Sequence, residues 1–137
     1  MEFLRIMKNS IKNGCIYVVA TPIGNLGDIS NRSLEILGKV DYVAAEDTRK
    51  TRNFLSHFQI NTKLISLHEH NEINQSKKII KDVLMGLSIA VVSDAGTPAI
   101  NDPGYRLISL AHQNEIKVIQ LPGPCSVTVS YTHLTLP

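Results

Sequence analysis

The 137-residue chain has the size of one compact domain, which excludes two independent domains. An apolar share of 43%, a charged share of 19% and a mean hydropathy of +0.01 exclude a disordered polyelectrolyte, and no apolar run approaches the roughly 18 residues of a membrane-spanning helix. A net charge of +2 neither demands nor excludes a polyanionic partner, and two cysteines, Cys15 and Cys125, without CxxC spacing encode neither a disulfide framework nor a zinc site.

Met1 to Lys12 mixes charged and apolar residues without a secretory apolar region, so the chain is expected to be cytoplasmic and to have no membrane partner. Five β-branched or apolar runs follow: Cys15 to Ala20, Asp41 to Ala45, Lys63 to Leu67, Ser88 to Ser93 and Glu115 to Gln120. Between them lie helical-period segments at Asn31 to Gly38, Arg49 to Phe58, Glu72 to Leu87 and Gly104 to His112, the last with Asp102 as cap candidate and Pro103 at its first position. Alternation of this kind predicts an α/β fold with a five-stranded, mainly parallel open sheet flanked by helices. Right-handed crossovers then bring the loops Thr21 to Ser30, Glu46 to Arg49, His68 to Asn71, Asp94 to Pro103 and Leu121 to Ser126 to the carboxyl edge, where ligands of open α/β sheets bind. The first and fourth loops are about ten residues long, above the usual 2 to 6 of a strand-to-helix turn, and that extra length predicts a site.

The first loop, in VVATPIGNLGD, has Gly24, Gly27 and Pro22, but its glycine spacing is not GxGxxG and no Lys completes a P-loop, so dinucleotide and Walker-type phosphate binding are disfavoured. The fourth, SDAGTPAINDPG, packs two Asp, two Gly and two Pro behind an apolar strand, as a preorganised loop for a small polar ligand requires. Asp94 there is a candidate acceptor for a ligand ammonium or hydroxyl, whereas Asp102 suits a helix cap. In AEDTRKTR, the adjacent Glu46 and Asp47 suit acid/base work, and the alternative is a cap at Asp47 with a solvated basic helix face. In SLHEHNE, His68 and His70 lack HExxH spacing, so no metal is expected; neutral imidazoles at the edge can contact a sugar or phosphate, and hydrogen-bonded loop histidines are the alternative.

Taken in order, TPIGNLGDIS, AAEDTRKT, SLHEHNE, SDAGTPAINDPG and LPGPCS resemble the successive blocks of the tetrapyrrole methylase-like, class III S-adenosylmethionine methyltransferases. Within them the closest resemblance is to the ribosomal RNA small-subunit cytidine 2'-O-methyltransferases, and it runs from about Gly14 to Thr128. Relatives acting on precorrins or diphthine intermediates typically have GxGPGD-type first loops and GDP-type fourth loops, and this sequence has neither.

The resemblance implies two α/β domains with S-adenosylmethionine in the cleft between them, this sheet being the amino-terminal half. It implies a cofactor site lined by Thr21, Pro22, Gly24, Ser93, Asp94, Ala95, Gly96, Thr97 and Pro98. It implies that Glu46 to Arg49 and His68 to Asn71 face the RNA, with Arg49, Lys50, Arg52 and His70 as the RNA-binding candidates. By charge, Arg49, Lys50 and Arg52 with Lys77, Lys78 and Lys81 of the next helix give a basic face for phosphates, and solvated helix surfaces are the alternative. Candidate base or orienting groups are Asp94, Glu46, Asp47 and His68, in that order. The expected partner is small-subunit ribosomal RNA or the assembled small subunit, and the full-length parent is expected to be a homodimer.

Residues 1–13 are read as an amino-terminal extension and 14–128 as the amino-terminal methylase domain. Val129 to Pro137, VSYTHLTLP, match no family block and resemble the translation of a transposon-derived sequencing adapter. They are expected to be a non-native tail, with the carboxyl-terminal domain absent from this chain and the fragment inactive alone. Two other readings remain: a non-catalytic α/β module that binds an adenosine-type metabolite, and a same-fold methyltransferase acting on a small molecule.

Overall fold

An apolar strand in a parallel sheet must be covered on both faces, and the chain supplies a helix after each of its first four strands. The computed structural model describes residues 14–20, 29–93 and 103–121. Strands β1 (Ile16–Ala20), β2 (Tyr42–Ala45), β3 (Leu64–Ser66), β4 (Ile89–Ser93) and β5 (Val118–Gln120) alternate with helices α1 (Asn31–Lys39), α2 (Thr48–His57), α3 (Glu72–Leu84) and α4 (Pro103–Gln113). The strands form one sheet of order β3-β2-β4-β1-β5, and every pair in it is parallel. The expected α/β class is the observed one.

Side chains alternate across each strand, so the sheet has two separate cores. On one face Ile16, Tyr42, Ala44, Ile89 and Val91 meet Ile79, Ile80 and Val83 of α3 and Leu107 and Ala111 of α4. On the other, Cys15, Tyr17, Val19, Val43 and Ala90 meet Leu37 of α1 and Phe54 and Leu55 of α2. Thus α1 and α2 cover one face, and α3 and α4 the other.

Buried hydroxyls tie the layers together. The Tyr42 hydroxyl donates to Oδ2 of Asp82 on α3, and the Lys78 ammonium lies 5.8 Å from the centre of the Tyr42 ring. Burial, reinforced by the Asp82 carboxylate, pushes the Tyr42 phenol far above its ordinary range, so it stays a neutral donor. Burial likewise raises Tyr17, with Cys15 beside it as the second cause.

Three helices stop by the same device, in which the last carbonyls accept from the two residues beyond the cap. At α3, Gly86 N donates to Val83 O (2.9 Å) and Leu87 N to Asp82 O (3.1 Å), with Gly86 at φ 104°, so the helix ends at Leu84 rather than at the expected Leu87. At α2 the left-handed residue is Gln59 (φ 61°), and Ile60 N donates to Leu55 O at 2.9 Å. At α4 it is Glu115 (φ 57°), and Ile116 N donates to Ala111 O at 2.8 Å. That turn occupies the residues expected to open the last strand, which therefore begins only at Val118.

Candidate active site

The strand order brings together two loops far apart in sequence. β1 and β4 are neighbours in register, with Ala20 opposite Ser93 at their carboxyl ends. The chain leaves β1 toward α1 on one face and leaves β4 toward α4 on the other. Where connections depart to opposite faces of an open α/β sheet, the carboxyl edge between them is the expected position of a ligand crevice. The residues expected to line it, Thr21, Pro22, Gly24, Asp94, Ala95, Gly96, Thr97 and Pro98, lie outside the described residues, as does the cap candidate Asp102. Ser93 is described as the last residue of β4, and Pro103 is the first residue of α4 as expected.

β2 borders the crevice on the other side of β4. Ala44 is opposite Val91, so continuing the register by two residues brings Glu46 level with Ser93. Glu46 is exposed directly after the buried Ala45 and stands at the mouth. Asp47 is differently used: its Oδ1 accepts from Lys50 N at 3.0 Å, which caps α2 and holds the start of that helix against β2.

His68 follows β3, whose Ser66 is opposite Ala45. The loop is built around Asn71. Its Oδ1 accepts from His68 N (2.9 Å), while its Nδ2 donates to Ser66 Oγ (3.0 Å) and Ser66 O (3.3 Å). Gln75 Nε2 donates to the same carbonyl at 2.7 Å. By position Asn71 caps α3, yet its side chain makes no cap bond and is spent on the loop instead. Within the loop His70 N donates to His68 Nδ1 at 3.2 Å. A ring nitrogen that accepts has no proton, so neutral His68 carries its hydrogen on Nε2 and offers a donor. Among the described residues no hydrogen bond joins Glu46, Asp47 and His68; they share an edge on adjacent strands.

The basic residues divide. Arg49 and Lys50 are exposed on the first turn of α2, and His70 is exposed with its Nε2 3.7 Å from Glu69 Oε1. Arg52 does not join them: its guanidinium donates to Thr62 O at 2.8 Å, fastening α2 to the segment before β3. Lys77, Lys78 and Lys81 sit on α3, so the expected continuous basic face is split between helices on opposite faces of the sheet. Ser66, Asn71 and Gln75 were not singled out as individual residues by spacing, although an Asn and a Gln flanking a strand-end Ser are the signal that could have found them.

The sequence matches the family of Tetrapyrrole (Corrin/Porphyrin) Methylases over residues 15–137. The chain belongs to that family. Among curated relatives, this methylase-family chain is 50% identical over 130 residues to the Ribosomal RNA small subunit methyltransferase I of Vibrio cholerae, covering 93% of the chain and 45% of that protein. To the protein of the same name from Halalkalibacterium halodurans it is 53% identical over 110 residues, covering 80% of the chain and 38% of that protein. It thus spans less than half the length of the curated relatives it matches. Among solved structures, uroporphyrin-III-C-methyltransferase from Thermus thermophilus superposes with a TM-score of 0.64 at 18% identity, covering 90% of this chain and 54% of that one, a likeness of fold. No helix among the described residues is long and apolar enough to cross a membrane.

Proposed function

We propose that the protein containing this chain transfers a methyl group from S-adenosylmethionine to the ribose 2'-hydroxyl of a cytidine in small-subunit ribosomal RNA. The observation that carries the proposal is the 50% identity over 93% of the chain to a protein named Ribosomal RNA small subunit methyltransferase I. The geometry is compatible with it. The small residue at the end of β1, Ala20, lets a flat ligand approach the backbone at the crevice between β1 and β4.

When bound there, S-adenosylmethionine supplies an electrophilic methyl on a sulfonium sulfur. The chain's task is then to align the attacking hydroxyl and accept its proton. Asp94 and Glu46 are the first candidates for the proton, Glu46 by its exposed carboxylate at the crevice mouth. Asp47 is the weaker candidate because one of its oxygens holds Lys50 N. His68, with Nε2–H outward, is suited to hold a phosphate or ribose oxygen rather than to take a proton, and Arg49, Lys50 and His70 would receive backbone phosphates.

The proposal includes a carboxyl-terminal domain as second wall of the cofactor cleft and a cytoplasmic homodimer as the working form. The isolated 137-residue chain is accordingly expected to bind S-adenosylmethionine weakly or undetectably by calorimetry, because half of the cleft's contacts are missing. Tight one-to-one binding would refute the two-walled cleft. The activity is tested by incubating the full-length protein with methyl-labelled donor and small-subunit RNA or subunits, then mapping the label. Label on a cytidine 2'-oxygen is the expected result; label on a tetrapyrrole alone, or on a base, overturns the proposal.

A further inference from the structure

The outward face of α3 differs from an ordinary solvated helix face. Such faces carry both signs of charge, and oppositely charged residues four apart pair along them. On α3 and its cap the exposed residues are Ile73, Asn74, Lys77, Lys78, Lys81, Leu84 and Met85, which at 100° per residue occupy an arc of about 140° with no carboxylate in it. The helix's two acidic residues are engaged elsewhere: Asp82 accepts from Tyr42, and Glu72 lies 3.5 Å from the Arg106 guanidinium of α4. Three of the four large apolar side chains exposed among the described residues also fall on this face, Ile73 at 52%, Leu84 at 61% and Met85 at 74% exposure. Cations in the middle, apolar side chains at both ends and no compensating anion describe a surface awaiting a polyanion.

We propose that this face of α3 is a second RNA contact, which grips the phosphate backbone of a segment distinct from the one at the catalytic edge. The inference rests on the RNA-substrate reading above and adds a surface to it. Continuity favours RNA over other polyanions. α3 starts two residues after His70, at the carboxyl edge, and runs away from it toward the opposite edge. Lys77 and Lys81 are four residues apart, a rise of about 6 Å, so successive phosphates of one strand can meet them. Arg49 and Lys50 lie across the sheet from this helix, so a single phosphate group cannot bridge both sets.

The test compares the full-length wild-type protein with its double variant Lys77→Gln, Lys81→Gln, using a transcript of small-subunit ribosomal RNA as probe in filter binding at several salt concentrations. Both lysines are exposed, so the variant is expected to melt like the wild type. Its affinity should fall roughly fivefold to tenfold at low salt, and the slope of log K against log salt should become shallower by about 1.5 to 2. Wild-type RNA binding with affinity and slope unchanged in the variant overturns the α3 surface while leaving the RNA-substrate reading intact. No RNA binding by full-length wild-type protein defeats that reading itself. Two further outcomes also overturn the RNA assignment: capture of the wild type, but not the variant, by anionic phospholipid vesicles without RNA competition, and self-association that Met85→Glu abolishes with RNA binding unaltered.

Discussion

Replacement of Ile79 by Ala is expected to lower the unfolding free energy by about 3 kcal/mol, within the 2 to 5 kcal/mol that buried Ile or Leu truncations cost. Ile79 is fully buried, in contact with a cluster that includes Ile16, Tyr42, Ala44, Val91, Leu107 and Ala111. The cost has two parts, the lost transfer energy of the removed carbons and the cavity they leave. The cavity part should be large here, because Ile79 lies in a close-packed cluster of sheet and α4 side chains that can fill a void only by shifting whole elements. Against a total of roughly 5 to 15 kcal/mol for a domain, this is a substantial fraction. Urea titration measures it, with Ile73→Ala as the control on the exposed side of the same helix, expected to stay within about 0.5 kcal/mol. A loss below 1 kcal/mol at Ile79 would show that α3 packs less tightly on the sheet than its burial implies.

Asn71→Ala is expected to reduce kcat/KM for RNA methylation by the full-length protein about tenfold to a hundredfold, with KM for the methyl donor unchanged. Five side-chain hydrogen bonds define the loop that presents His68, and the Asn71 side chain takes part in three of them. Without it the end of β3 is no longer tied to His68 N, and a displacement of about 1 Å at a positioning group can cost that much in rate. Asn71 is a positioning residue: it ties His68 N to the end of β3, so its loss should lower kcat for RNA methylation while leaving the methyl donor's KM unchanged. Asn71→Asp keeps an acceptor for His68 N but turns the donor toward Ser66 into a second acceptor, and should recover only part of the activity. A stability loss of about 1 kcal/mol with normal RNA methylation would mean that the loop is structural.

Much of this architecture was legible in the chain, and for a local reason. Runs such as IYVVA and IAVVS are apolar at every position and bounded by turn residues, and helices between them repeat apolar residues at 3.6-residue spacing, so each element announces its type within its own length. Asp47 as a helix cap is equally local, since the donor lies three residues on. The last strand was overestimated because a left-handed turn at Glu115 can be adopted by residues that carry no glycine signal. At the site, Glu46 and His68 could be named from motif and edge alone. Asn71's service to Ser66 and His68 could not, since an Asn at a helix start reads as a cap unless the preceding strand end is seen to compete for its side chain.

By itself, then, the sequence determined the element types, the α/β class and the concentration of polar loops at one edge, consequences of short-range periodicity and composition, while its ordered motif blocks carried the family resemblance. The tertiary structure decided which loops meet. Strand order depends on contacts between residues tens of positions apart, and the order β3-β2-β4-β1-β5 brings Ala20 beside Ser93, at the strand ends from which the chain goes on to helices on opposite faces. It likewise decided that Arg52 fastens Thr62, and that the lysines of α3 look out from the opposite side of the sheet to Arg49 and Lys50. A charge in a sequence has a sign but no direction; the face of the sheet on which its helix packs supplies one.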